Sequence, residues 1–446
     1  MRTRLAAVVL ASAFCAGMAV AAGELAGSGR PLVLRASAAT SPLLGLRFGR
    51  LDTWLVRLEP RTLNTLPGRK LPLGRYLSGW SFSPARSRLA FGSEGASLND
   101  SPAALRIVDA ATLTTVRDVG LGMNGFVAAT HWVAPDRVLA LVQSSSPEGE
   151  FAVLVDTAEG RVVQRQSLDG SVTAIGRTQR ALVLLLVPAT FGPVDLAVAG
   201  SDGSYRSVEL TRIEAGLTTT EPPDSYHQRD DAGLAVDGAG RAYVVAAGDP
   251  VAEVDLASLA VSYHVPAQPV SLLGRLHDWV EPTARAKDLF TRSDRAAIWL
   301  GDGQLAVVGM NGTAHWTTRR LEVKMVPSGL QVIDTRDWSA RTVDPRSSDL
   351  EVAKNALLTW GVSWDAGTPK GTGLTVYGPR GQKRFHLFGV QPVWGAQVVN
   401  RRAFVWRQNL EHGYVIVSLR TGKVVRTVRG LDAPVLLKGS GAPFYG

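Results

Sequence analysis

The residues of this chain best suited to chemistry gather in three stretches. The first carries His227, Asp230 and Asp231, the second His277, Asp278, Trp279 and Glu281, and the third His315, Trp316, Arg319 and Arg320. His227 with two carboxylates has the donor types that hold a divalent cation. No recognised ligand spacing accompanies them, however, and such a cluster in a polar loop is more often solvated. No metal and no other cofactor is therefore expected. His277 beside Asp278 can act as a general base with its orienting carboxylate, although adjacent residues on a helix point apart, which favours an ordinary surface pair. His315-Trp316 with Arg319-Arg320 combines an aromatic plate and two planar cations, a set that stacks on and grips an anion or a sugar. Trp316 can equally pin its loop to neighbouring structure.

None of these stretches contains a motif that fixes a reaction. The chain has no Gly-x-Ser-x-Gly elbow, no His-Glu-x-x-His, no phosphate-binding glycine loop and no calcium loop of alternating Asp, so no catalytic residue is assigned. Asn311-Gly-Thr313 matches a glycosylation sequon and is expected to be a turn. The single cysteine, Cys15, lies in an apolar run from Leu5 to Ala22 that follows Arg2 and Arg4. This is the layout of an export signal with small residues at its end, so residues 1–22 are read as a signal peptide, with a retained membrane anchor as the other reading. Its removal leaves no thiol, which excludes disulfides, Cys-ligated zinc and thiol nucleophiles together. Extracytoplasmic or secreted location follows.

The formal charge is +9, carried by 48 Lys and Arg against 39 Asp and Glu. Arg outnumbers Lys 40 to 8, a skew that genome composition alone can produce. Basic residues do not run together beyond pairs such as Arg319-Arg320, Lys383-Arg384 and Arg401-Arg402. Nucleic acid is therefore not expected as a partner, while weak contact with an anionic cell envelope is.

The elements that must position these residues are written as a repeat. A strand ends near an acidic residue, a tight turn follows, then a second strand, a gap, and two more strands. Clear copies are Leu105 to Asp109 with Thr114 to Val119, Val153 to Asp156 with Arg161 to Val163, Val251 to Asp255 with Val261 to His264, Leu330 to Asp334 with Ala340 to Val343, and Tyr414 to Ser418 with Lys423 to Val428. Weaker copies begin at Trp54, Leu196 and Leu374. Alternating apolar and polar positions rich in β-branched residues read as antiparallel strands. The turns fall at Pro60, Ala110, Thr157, Asp202, Leu256, Thr335, Pro379 and Arg420, mostly 41 to 54 residues apart, which is the period of a propeller blade. The expected fold is all-β: a single β-propeller over 32–446 of four-stranded antiparallel blades, eight favoured and seven the alternative, after a linker at 23–31.

Through Leu330-Gln-Val-Ile-Asp-Thr335, Ser418-Leu-Arg-Thr-Gly-Lys-Val-Val425 and Ser81-Phe-Ser-Pro84 the chain resembles the YVTN-type propellers and, more loosely, the quinoprotein-like propellers. The resemblance implies a fold but no single function, since such propellers include binding scaffolds, lyases and dehydrogenases. The family's strand order implies that each phrase supplies the two outer strands of one blade and the two inner strands of the next. The C-terminal strands near Val435 and Pro443 then complete the ring beside the N-terminal ones. In that order the long departures from the repeat, Arg212 to Asp231, Pro266 to Arg295 and Gly309 to Gly329, open on one face as loops. Leu276 to Leu289 has the spacing of a short helix. The expected function is a monomeric binding or scaffold module holding a protein, peptide or glycan on that face. The alternative is an extracellular hydrolase or lyase acting on a glycan or peptide, with site residues in the same insertions.

Overall fold

The computed structural model describes residues 43–48, 52–74, 77–93, 101–219, 226–267, 289–316, 321–353, 355–365, 368–378, 381–399, 401–407, 413–428, 435–437 and 440–441. No helix occurs among them. The signal and linker segments assigned from sequence lie outside the described residues, as does the helical stretch up to residue 288, and Leu289 itself begins a strand.

Strands β1 (Leu43–Phe48), β2 (Thr53–Leu58) and β3 (Leu71–Gly74) form an antiparallel meander. β4 (Leu77–Phe82), β5 (Arg88–Ser93) and β6 (Pro102–Asp109) lead into β7 (Thr114–Ala134). The first half of β7 closes that group. Its second half opens the next, continued by β8 (Arg137–Ser146), β9 (Glu148–Asp156) and β10 (Arg161–Leu168). The same four-strand order recurs in β11 (Ser171–Arg177), β12 (Ala181–Val187), β13 (Gly192–Gly200) and β14 (Tyr205–Thr219). After β15 (Tyr226–Asp231) it recurs in β16 (Gly233–Val236), β17 (Arg241–Val245), β18 (Val251–Asp255) and β19 (Val261–His264). β20 (Leu289–Gly301) and β21 (Gln304–Trp316) are followed by β22 (Leu321–Pro327), β23 (Leu330–Asp334) and β24 (Ser339–Asp344). The next group is β25 (Asp349–Ala353), β26 (Ala356–Asp365), β27 (Thr368–Tyr377) and β28 (Lys383–Leu387). The one after is β29 (Val393–Val399), β30 (Arg402–Arg407), β31 (Tyr414–Ser418) and β32 (Val424–Val428). The last strands are β33 (Val435–Leu436), which pairs antiparallel with β1, and β34 (Ser440–Gly441), which pairs with β4. The chain's end thus supplies a fourth strand to the group that its beginning left with three.

Packing follows from strand period. In β12, Leu182, Leu184 and Leu186 face the β8–β9 sheet, while Val183, Leu185 and Val187 face the β16–β18 sheet. Two-sided burial explains why this strand is apolar throughout rather than alternating. Each buried Leu or Val contributes about 1.5–3 kcal/mol. Every core cluster joins neighbouring groups in this way. One of them sets Val56, Leu58 and Leu63 against Phe404, Tyr414 and Ile416, bringing the β29–β32 group against the β1–β3 group. Where innermost strands approach closely, glycine is required: a Cβ on Gly233 would lie 2.8–2.9 Å from the Ala296 and Ala297 backbone.

In the repeats whose third strand ends at an acidic residue, that residue has a common task. Asp109 accepts from the amides of Ala111 and Thr112, Asp156 from Ala158 and Glu159, Asp255 from Ala257 and Ser258, and Glu59 from Arg61 and Thr62. In each turn the amide four residues on donates to the backbone carbonyl of the acid, and that fifth residue is left-handed: Leu113, Gly160, Leu259 and Leu63. The carboxylate thereby satisfies amides that a tight turn leaves without backbone partners. Leu113 tolerates φ of 55° because its side chain is fully buried in the core.

Candidate functional site

The described parts of the three insertions are largely strands rather than the loops expected from sequence. The far end of β14 pairs with β15, β15 runs parallel to the start of β20, and the far ends of β20 and β21 pair over Leu289–Arg295 and Gly309–His315. β21 then pairs with β22, and β22 with the extended end of β26 through Lys324–Asp365 and Met325–Trp364. An accessory sheet of order β14-β15-β20-β21-β22-β26-β27 therefore spans four consecutive groups. Asn311 to Thr313, expected as a turn, sits mid-strand in β21, where the Asn311 Oδ1 accepts from Arg295.

This sheet brings together part of the sequence-selected set. Register places Asp231 beside Asp294, Asp230 beside Ser293 and Arg229 beside Arg292 on the parallel strands β15 and β20. Arg292 Nε donates to Asp294 at 2.8 and 2.9 Å, and its Nη2 lies 3.5 Å from Asp231, to which Arg229 Nε also donates at 3.3 Å. Arg295 is turned to backbone, donating to the carbonyls of Asp294 at 2.8 Å and Met310 at 3.2 Å. Burial raises the Asp294 carboxyl above its ordinary range against the pull of Arg292, and Asp231, within hydrogen-bonding reach, raises it further. Burial also pushes Asp349, at the head of β25, up to about 6, with Asp294 adding to the effect. Asp249 is raised by burial despite accepting from the Glu214 amide at 2.9 Å.

His227 lies on β15 opposite Thr219 and Phe290, and His315 on β21 opposite Leu289, so the two occupy adjacent register rows with one strand between them. Trp316 pairs with Leu321 in the same sheet. His277, Asp278, Trp279, Glu281, Arg319 and Arg320 lie outside the described residues. Among the described residues no group of three His, Cys, Asp or Glu is arranged to hold a metal ion. The residues that sequence reasoning missed, Arg229, Arg292, Asp294 and Arg295, do carry a signal. Arg229-Asp-Asp231 and Arg292-Ser-Asp294 both place an Arg and an Asp two apart, on one face of a strand.

A carboxyl pair bridged by an arginine can hold a proton and can tie two strands. Asp231 and Asp294 lie within hydrogen-bonding reach of each other, closer than the about 5 Å or more between carboxyl groups that glycoside cleavage uses. Beyond the charged cluster, Trp364 and Trp394 lie 5.7 Å apart on the β26 extension and β29. Leu217, Val326 and Val390 are exposed by 40%, 41% and 82% on this side of the molecule. Val390 belongs to the loop whose carbonyl binds the Gly371 amide at the start of β27.

Comparison of the whole architecture with solved structures aligns 93% of this chain with 77% of the dihydro-heme d1 dehydrogenase NirN, solved in complex with DHE, at a TM-score of 0.54 and 14% identity. The fold is that of a β-propeller. The four-stranded groups are its blades. BamB from Moraxella catarrhalis matches 86% of the chain over 92% of its own length at 9% identity and a TM-score of 0.40. A computationally designed protein, Ika8, matches 84% over 96% at 12% identity and 0.43. No family model matches the sequence, and no curated protein matches it either.

Proposed function

We propose that the chain is an exported eight-bladed propeller that binds a protein or peptide on the face carrying the accessory sheet. Eight blades are supported by the eight four-stranded groups and by β33 pairing with β1, which would close the ring. The observation that carries the binding reading is the one-sided growth of the accessory sheet from neighbouring blades, with exposed apolar residues on it. Leu217 and Val326 are exposed on the sheet and Val390 on the loop beside it. By register Leu217, Met325 and Trp364 share one face and Val326 lies on the other, and exposed apolar side chains mark interaction surfaces. The half-buried Trp364–Trp394 pair adds large amphipathic side chains of the kind that dominate binding energy.

A hydrolase or lyase is the second reading, and the adjacent Asp231 and Asp294 are what favours it. Binding is preferred because Arg229 and Arg292 already engage both carboxylates. The deciding experiment places a photo-crosslinking residue at Met325, on the face shared by Leu217 and Trp364, and, separately, at Val116 on the outer strand β7, and then asks whether Trp364→Ala with Leu217→Ser abolishes the product. A discrete crosslinked partner at Met325 alone, lost at least tenfold in the double variant, is expected. Equal labelling at both positions would remove the reading.

A further inference from the structure

The net positive charge of this protein is not spread evenly. The blade β29–β32 and the blade made by β33 with β1–β3 contain Arg47, Arg57, Arg61, Arg69, Lys70, Arg401, Arg402, Arg407, Arg420, Lys423 and Arg426 among their described residues, against only Asp52 and Glu59. The two blades are in direct contact. Arg402 donates to the Arg61 carbonyl at 3.0 Å, Arg426 to Asn64 Oδ1 at 3.4 Å, and the hydrophobic cluster of Leu58 and Leu63 with Phe404 and Ile416 lies beneath. These arginines thus reach neutral oxygens, and Glu59 is occupied in capping its own turn. Arg61, Arg69, Lys70, Arg401, Arg420, Lys423 and Arg426 are all exposed. Residues 61, 401 and 420 lie in turns at the end of the strands opposite to that from which the accessory sheet grows.

A second observation separates this patch from a merely soluble basic surface. Val424 and Val425 are 49% and 48% exposed on the outermost strand, between Lys423 and Arg426, and Leu66 is 37% exposed between Arg61 and Arg69. Three of the five large apolar side chains exposed on the described surface outside the accessory side are here. A soluble polyanion rewards only the cations. An anionic bilayer rewards both, since basic side chains meet the headgroups while adjacent apolar ones enter the interfacial layer. We propose that the outer surface of these two blades, centred on Arg61, Lys423, Val424, Val425 and Arg426, is a docking surface for an anionic phospholipid bilayer. Such docking would leave the accessory face directed away from the membrane.

The test uses the full chain and vesicles of phosphatidylcholine, with or without 30% phosphatidylglycerol. Sedimentation is compared for the wild type, for Arg61→Glu/Lys423→Glu/Arg426→Glu, for Val424→Ser/Val425→Ser, and for a matched charge reversal elsewhere, Arg117→Glu/Arg180→Glu/Arg341→Glu. Any contribution of the apolar run at residues 5–22 is common to all forms. At about fivefold per basic residue, the patch reversal is expected to weaken binding to the anionic vesicles by roughly 100-fold, and the matched reversal by less than tenfold. The valine variant is expected to lose severalfold affinity that added salt does not restore. Equal binding to both vesicle types, or equal loss in the two reversals, would overturn the proposal. So would binding to a soluble polyphosphate, sensitive to the patch reversal, without binding to vesicles. Far-UV circular dichroism and the melting temperature establish that each variant is folded.

Discussion

Two enclosed titratable residues set opposite pH dependences within the same molecule. Asp349 takes up its proton near pH 6, above the 3.8 of an ordinary aspartate, because burial disfavours its charge. The unfolded chain ionises it more easily, so this residue stabilises the fold as pH falls from about 7 toward 4. His131, on the second half of β7, is pushed down to about 4 by burial and then by Arg177. Between pH 6.5 and 4 the unfolded chain binds that proton more readily, and folding weakens as pH falls. The two contributions, each on the order of 1–3 kcal/mol, offset one another in the wild type. Asp349→Asn is expected to raise the melting temperature at pH 7.5 and to make it fall more steeply toward pH 5. His131→Asn should reverse that slope. Parallel melting curves for the two variants from pH 7.5 to 5 would contradict the assignment.

At the scale of the element, the accessory sheet depends on a charged seam. β15 and β20 pair in parallel over only six residues, and the pairing is held on one side by Arg292 between Asp231 and Asp294. Replacing Arg292 with Met leaves two carboxylates in contact with one fewer cation, which costs about 3–5 kcal/mol where such a pair is buried and less here, where water reaches the edge. Hydrogen exchange in this variant should accelerate at least tenfold over 216–219, 226–231 and 289–294. The neighbouring β16–β19 blade, whose strands share no hydrogen bonds with that seam, should keep its protection. Uniform acceleration would mean that the sheet is not a separable addition to the propeller.

For the whole molecule the terminal strands matter most. β33 pairs with β1, Leu436 packs with Leu43, Val56 and Tyr414, and Leu437 packs with Leu44 and Trp80. Ending the chain at residue 434 removes these two leucines, at about 2–3 kcal/mol each, and strips β1 and β4 of their inner partners. The truncated chain is expected to melt at least 10 °C lower and over a broader range, because the β1–β3 group loses its inner strand and the packing that joins it to the β29–β32 group is weakened. An unchanged, equally sharp transition would show that the terminal pairing contributes nothing to cooperativity.

The all-β repeat was legible in the sequence because its causes are local. An acid such as Asp109 or Asp255 caps its own turn within four residues, and an apolar run such as Ala181 to Val187 declares a strand buried on both faces. The place of the strand at Val435 beside β1 was expected only from the strand order of the propellers the sequence resembles, and β33 takes it. Asp230 and Asp231 were found as candidates, but their partners were not, because Arg292 and Asp294 stand some sixty residues away and meet them only through the parallel pairing of β15 with β20. The insertions read as loops because short polar strands carry little period of their own and become strands only when neighbours complete their hydrogen bonds. Likewise the basic residues occur in sequence as no more than pairs. Arg61 and Arg426, 365 positions apart, become one surface only where the last blades meet the first. Local hydrogen bonding and strand period are written in the chain, whereas the meeting of distant charges is decided by how the packed sheets bring the first and last strands together.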